Sequence, residues 1–101
     1  MPRARIAPAA RDDLRDIRIY SKSAFGAVTA RAYMLGLRDV LALTAAQPLI
    51  GIAEHDLGAE MRSFAYRSHR IYFRLDQTGI LVVRILHHAR DIPRALDDVR
   101  D

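Results

Sequence analysis

MRSFAYRSHRIYFRLDQTGILVVRILHHARD, residues Met61 to Asp91, contains three short β-type runs separated by tight turns, and its reading decides the fold. Within it Ile71, Phe73 and Leu75 alternate with Arg70, Tyr72 and Arg74. That period of two predicts a half-buried strand with one polar face. Gln77-Thr78-Gly79 reads as a hairpin turn. The run from Ile80 to Leu86 is apolar except for Arg84, as expected of a central strand covered along most of its length. Strands are therefore expected at 61–66, 69–75 and 80–87. The same stretch carries Arg62, Arg67, Arg70, Arg74 and Arg84, and it closes on His87, His88, Arg90 and Asp91. Asp76 is the one carboxylate inside the meander, so the clustered guanidinium groups point to an acidic partner.

Working outward, Leu49 to Glu60 has no periodicity and reads as a loop after Gln47-Pro48. Upstream of it, Ala30, Tyr33, Met34, Leu37, Val40, Leu41 and Thr44 recur at three- and four-residue spacing, predicting a helix over 27–46. Arg11 to Ser23 predicts another helix, with Ala10, Leu14, Ile17 and Ser21 on one stripe and Asp12, Asp13 and Asp16 near its positive end. Ala24-Phe25-Gly26 breaks it, and so short a connection folds the two helices into an antiparallel hairpin. Residues 3–7 (RARIA) form a short first strand stopped by Pro8. Pro93 opens a short C-terminal helical turn with Ala95, Leu96 and Val99. The order β-α-α-β-β-β describes an α+β domain: a helical hairpin packed on a mostly antiparallel four-stranded sheet.

At 101 residues the chain reads as a single domain, 1–101, with one modest core. Half its residues are apolar and 28% are charged, a folded globular composition. No apolar run is long enough to cross a bilayer and no leader pattern opens the chain, so the cytoplasm is the expected compartment. The absence of cysteine excludes disulfides, thiol catalysis and cysteine-based zinc sites. The net charge is +4, and of sixteen basic residues only Lys22 is lysine. Arginine grips carboxylate or phosphate with a planar, two-pronged donor fork, although a GC-rich genome also raises its count.

The chain resembles the RelE/ParE toxin superfamily, its ParE branch in particular. The resemblance rests on Pro8-Ala9-Ala10, Asp13-Leu14, Ile17, Tyr20 and Gly26, then Ala32-Tyr33, Leu37, Pro48 and Gly51. It continues through Arg62, Ser68-His69-x-Ile71-Tyr72-Phe73-Arg74 and Arg84-Ile85-Leu86-His87-x-x-Arg90-Asp91. It implies a toxin of a type II toxin–antitoxin pair, held in a hetero-oligomer by a ParD-like antitoxin with an acidic and apolar C-terminal segment. ParE-like toxins act on DNA gyrase, whereas RelE-like relatives cut mRNA on the ribosome. No cofactor, metal or membrane is implied.

The candidate contacts for target or antitoxin are Arg62, Arg67, Arg70, Tyr72, Arg74, Arg84, His87 and Arg90. A nucleolytic reading would need cations around a phosphorane from Arg62, Arg70 and Arg84, with His87 or His88 moving protons. It is weakened because RelE-like nucleases rely on lysines in the middle strands, where this chain has none. His87 and His88, as consecutive strand residues, are expected on opposite faces and therefore not as joint metal ligands. His69, in phase with Ile71 and Phe73, should face the helices and bond to backbone. Arg84 needs a carboxylate partner, for which Asp91 is the natural candidate; the alternative pairs Asp91 with Arg90 at the sheet end. Tyr66 and Tyr72 are expected to pack across strands. The helix arginines Arg11, Arg15, Arg18, Arg31 and Arg38 should pair with Asp12, Asp16 or Asp39.

Overall fold

A computed structural model describes residues 3–88. Strand β1 (Arg3–Ile6) is followed by helix α1 (Pro8–Phe25) and helix α2 (Ala27–Ala46). After a 3-10 turn at Pro48–Ile50 come strand β2 (Ile52–Ala53), a second 3-10 turn at His55–Leu57, and strands β3 (Met61–Tyr66), β4 (His69–Asp76) and β5 (Gly79–His87). The architecture is α+β, with two helices on one face of a mixed sheet ordered β1-β5-β4-β3-β2. The sheet has five strands rather than four. Ile52 and Ala53 pair antiparallel with Ser63 and Arg62 inside the segment expected to be loop. Two residues are too few to carry a periodic signal, which is why the sequence reads there as irregular. β1 pairs parallel with β5, and the other ladders are antiparallel.

Helix α1 starts three residues before its expected first turn, because Pro8 occupies the first helical position, where its fixed φ suits a helix and its missing N–H costs nothing. A single residue, Gly26, joins the helices at φ +89°, a left-handed conformation that L side chains rarely adopt. The link is shorter than the three residues expected, and it returns α2 directly along α1.

The hairpin packs Ala10, Ile17, Leu37, Leu41 and Ala45 onto Ile71, Phe73, Ile80, Val82 and Ile85 of the sheet. Several of these are fully buried, and each large aliphatic or aromatic side chain removed from water contributes roughly 1.5–3 kcal/mol. The stripe expected on α1 is present with one change: Asp13 is buried where Leu14 is only half-buried. The opposite face of the sheet is not the polar surface the alternation predicts. Tyr72 is buried there in a second cluster with Met61, Val83 and Leu86, flanked by Leu57 and Leu81.

The two clusters draw alternately on β5 because of a bulge. Tyr72 pairs with Arg84 but Phe73 pairs with Val82, so Val83 is an extra residue. Val82 and Ile85 thereby both face the helices, three residues apart. Past the bulge, where the β1 ladder has already ended at Val82, the backbone N–H of Ile85 is taken by the Asp13 carboxylate, 2.9 Å away. The expected helical turn from Pro93, and Arg90 and Asp91, lie outside the described residues.

Candidate functional site

The arginines of the meander divide between two faces and do different work. Arg84 is buried, at 7% exposure, and its guanidinium grips Asp13 of α1 (8%) with two bonds: Nε to Oδ2 at 2.7 Å and Nη2 to Oδ1 at 2.9 Å. Among the described residues its carboxylate comes from the first helix; Asp91, the candidate the sequence suggested, lies outside them. Asp13 and Arg84 are separated by most of the chain, and only the fold joins them.

Arg62 lies on the helix side at the edge of β3, opposite Phe73. Its Nε donates to the Pro48 carbonyl at 3.2 Å, and its Nη2 to the carbonyls of Leu49, at 3.3 Å, and Gly51. One guanidinium thus holds the turn that leads from α2 into β2. Arg70 sits on the other face, opposite Ala65, and donates to Ser63 Oγ at 2.8 Å; Ser63 in turn donates to Glu54 at 2.5 Å. Arg67 occupies the β3–β4 turn at φ +51° and lies over the Tyr66 ring, 5.8 Å from its centroid. Arg74 is exposed on β4, and Asp76 is paired with Arg5 of β1.

The cations proposed to surround a phosphorane therefore do not converge. Arg62 and Arg70 are on opposite faces of the sheet, Arg62 is engaged by three carbonyls, and Arg84 is engaged by Asp13. Tyr72 is buried in the second cluster. Tyr66 reaches under α2, where its hydroxyl donates to the Tyr33 carbonyl at 2.9 Å, an approach that Gly36 permits.

The histidines gather at the opposite end of the strands. His69 is on the helix side as expected, but its partner is a side chain: the Tyr33 hydroxyl is 2.6 Å from Nδ1. Burial raises the Tyr33 pKa above its usual value, against a smaller opposing pull from the Ser68 hydroxyl, so Tyr33 keeps its proton. Burial, and after it the neighbouring His87 and His88, lower the His69 pKa, so the ring is neutral at pH 7. His87 stacks edge-on to His69 with centroids 5.5 Å apart, and the His88 ring is only 4.3 Å from His87. The alternation argument fails for this pair because β5 ends at His87, and His88 turns back to bond the Ser68 carbonyl. Among the described residues no three His, Asp or Glu side chains are grouped to hold a metal ion. No helix is long and apolar enough to cross a membrane.

A groove of about 750 Å³ lies where β1 meets the helical hairpin. Ile6, Leu14, Met34 and Leu41 contribute to its apolar lining, and Arg18 and Arg38 stand in it as the cations. β1 is an end strand, so its outer edge has no neighbouring strand in the sheet. By helical spacing Arg18 and Arg38 were expected to pair locally with carboxylates on the helix surface. Among the described residues only Arg15 has such a helical pair, with Asp12 at 3.5 Å. Helical spacing alone had no means of locating the groove, because its lining comes from three elements brought together in space.

Against this architecture, comparison with known proteins is consistent along nearly the whole length. Toxin ParE1 of Mycobacterium tuberculosis, in strains CDC 1551 and H37Rv, is 30% identical over 92 residues, covering 90% of this chain and 94% of the relative. A solved chain described as "Chromosomal ParDE TA system from P. aeruginosa" shares the fold with a TM-score of 0.73 at 16% identity, over 86% of this chain and 96% of that one. Residues 4–92 match the family described as "ParE toxin of type II toxin-antitoxin system, parDE", and the chain belongs to that family of ParE toxins.

Proposed function

We propose that this toxin arrests growth by binding a large partner, DNA gyrase, without bond chemistry of its own. We further propose that a ParD-like antitoxin disarms it by laying an acidic, apolar C-terminal segment in the groove beside β1. The observation that carries the reading is that groove: an apolar floor from β1 and both helices, with Arg18 and Arg38 placed to meet carboxylates. An amphipathic segment seated there buries its apolar side and pairs its charges at once, and the open edge of β1 offers main-chain hydrogen bonds to an extended stretch. The dispersal of Arg62, Arg70 and Arg84 over separate structural tasks supports binding rather than phosphodiester cleavage. Both partners place its action in the bacterial cytoplasm.

Two assays run side by side test the target: gyrase supercoiling, and transcript integrity in a translating extract. Inhibited supercoiling with intact mRNA is the expected result. Cleaved transcripts with normal supercoiling would assign the toxin to the ribosome instead. For the antitoxin, Ala42→Glu and Arg38→Glu in the groove should each weaken capture by the ParD-like partner at least about tenfold, since each costs about 1.4 kcal/mol or more of binding free energy. Unchanged affinity in both variants would remove the groove from the interface.

A further inference from the structure

A second cavity, of about 460 Å³, opens at the far end of the helical hairpin, over the His69 end of β4 and the His87 end of β5. Its size is within the roughly 300–1,000 Å³ common for binding pockets. Its chemistry is the reverse of the groove's. The chain has fifteen arginines, yet among the described residues no Arg or Lys lines this cavity. Its walls are aromatic: Tyr20, Phe25 and Tyr33, with the rings of His69 and His87. Tyr20 and Phe25 meet edge to face at 6.3 Å and remain 65% and 62% exposed. Two large rings left this open on a small domain mark a contact surface.

The cavity's charge is negative. Both oxygens of Asp13 are committed to Arg84 and the Ile85 N–H, but Asp16, which also lines the cavity, has no ionic partner among the described residues. Nor does α1 supply one. The residues three and four positions from Asp16 are Asp12, Asp13, Ile19 and Tyr20, none of them basic. Tyr20 is one turn beyond Asp16 on the same face, so a carboxylate and an aromatic ring border the same opening. His69, neutral at pH 7, adds polarity without opposing a cation.

We propose that this cavity receives the guanidinium of an arginine side chain presented by a protein partner, stacked on the exposed aromatic rings and paired with Asp16. An aromatic wall attracts a cation through the negative face of its π system. Guanidinium suits the site better than ammonium, because it stacks flat on a ring while its edge donates to a carboxylate. The site is distinct from the arginine-bearing groove, which favours acidic segments, and it does not depend on which cellular target the toxin takes.

The test is an NMR titration of the labelled protein at pH 7.5 with the capped peptide acetyl-Ala-Arg-Ala-amide. The same peptide with citrulline in place of arginine serves as a neutral isostere. Saturable shifts of amides around Asp16, Tyr20, Thr29 and His69 with the arginine peptide, and none with the citrulline peptide, are expected. Asp16→Asn and Tyr20→Ala should each weaken binding about fivefold, while Asp39→Asn, an exposed carboxylate of α2 outside the cavity, should leave it unchanged. Equal binding of the citrulline peptide would overturn the proposal, as would wild-type affinity in Asp16→Asn. Free L-arginine brings a carboxylate toward Asp16 and should bind more weakly than the peptide. Tighter binding of free L-arginine would make this a small-molecule site and likewise overturn it.

Discussion

Asp13 satisfies three donors at once: two from Arg84 and the main-chain N–H of Ile85, just past the β5 bulge. Removing the carboxylate strands a buried guanidinium, a loss of about 3–5 kcal/mol for breaking such a pair from one side. Asp13→Ala is accordingly expected to lower the urea midpoint by that equivalent, whereas Asp12→Ala, with its exposed partner Arg15, should change stability by less than about 1 kcal/mol. Urea unfolding of the two variants decides between them. A second expectation concerns acid. The His69 pKa is lowered in the fold, chiefly by burial, so between the free-imidazole value of 6.5 and its folded value the unfolded chain binds more protons. Stability should therefore fall as pH drops below about 6.5, and level off once the folded ring also titrates. The groups that face this ring are Tyr33 from α2, Asp13 from α1, and His87 and His88 at the end of β5. His69→Gln should flatten the decline between pH 7 and 5, measured as the midpoint difference from wild type; an unchanged slope would assign the acid sensitivity to other groups.

Glycine controls how closely the elements approach. Gly79 opens β5 at φ +142°, and a Cβ there would lie 2.2 Å from the Arg3 carbonyl oxygen and 2.5 Å from its nitrogen. Those are backbone atoms with nowhere to yield, so Gly79→Ala should push β1 off the sheet at a cost of about 1–3 kcal/mol. Hydrogen exchange gives the specific signature: the Ala7 amide, bonded to the Val82 carbonyl at 2.9 Å, should lose protection while the β4–β5 ladder keeps it. Equal loss on both ladders would mean that the sheet melts as a unit. The elements themselves were legible in the sequence wherever a period repeated. The 20 residues of α2 and the alternation in β4 declared themselves. β2 did not, because two residues have no period, and neither did the bulge, since an apolar run looks the same whether or not one residue is unpaired. Arg84 shows the limit for single side chains. Its need of a carboxylate was readable from its apolar neighbours, but Asp13 becomes a partner only when α1 crosses β5.

For the molecule as a whole, the net charge of +4 predicts acidic partners, but its distribution decides where they can sit. The meander arginines that first suggested a binding face are largely occupied in holding the turn after α2, the Ser63–Glu54 chain and the bulge. Arg18 and Arg38, which looked like ordinary helix-surface residues, stand instead in the apolar groove beside β1. Should an antitoxin segment fill it, a concentration of about 100 Kd adds roughly 2.7 kcal/mol to the folded state. For a domain of this size that corresponds to a rise of about 10 °C or more in melting temperature. Thermal denaturation with and without the segment measures it, and Met34→Glu should abolish the rise. The parallel pairing of β1 with β5 carries a final consequence. Ile6 cannot meet Val82 until β5 has left the ribosome. At about 5–20 residues per second, the nascent amino terminus waits several seconds for its ladder. Activity that needs the β1 ladder would accordingly wait for β5, which allows an antitoxin synthesised alongside to be in place first.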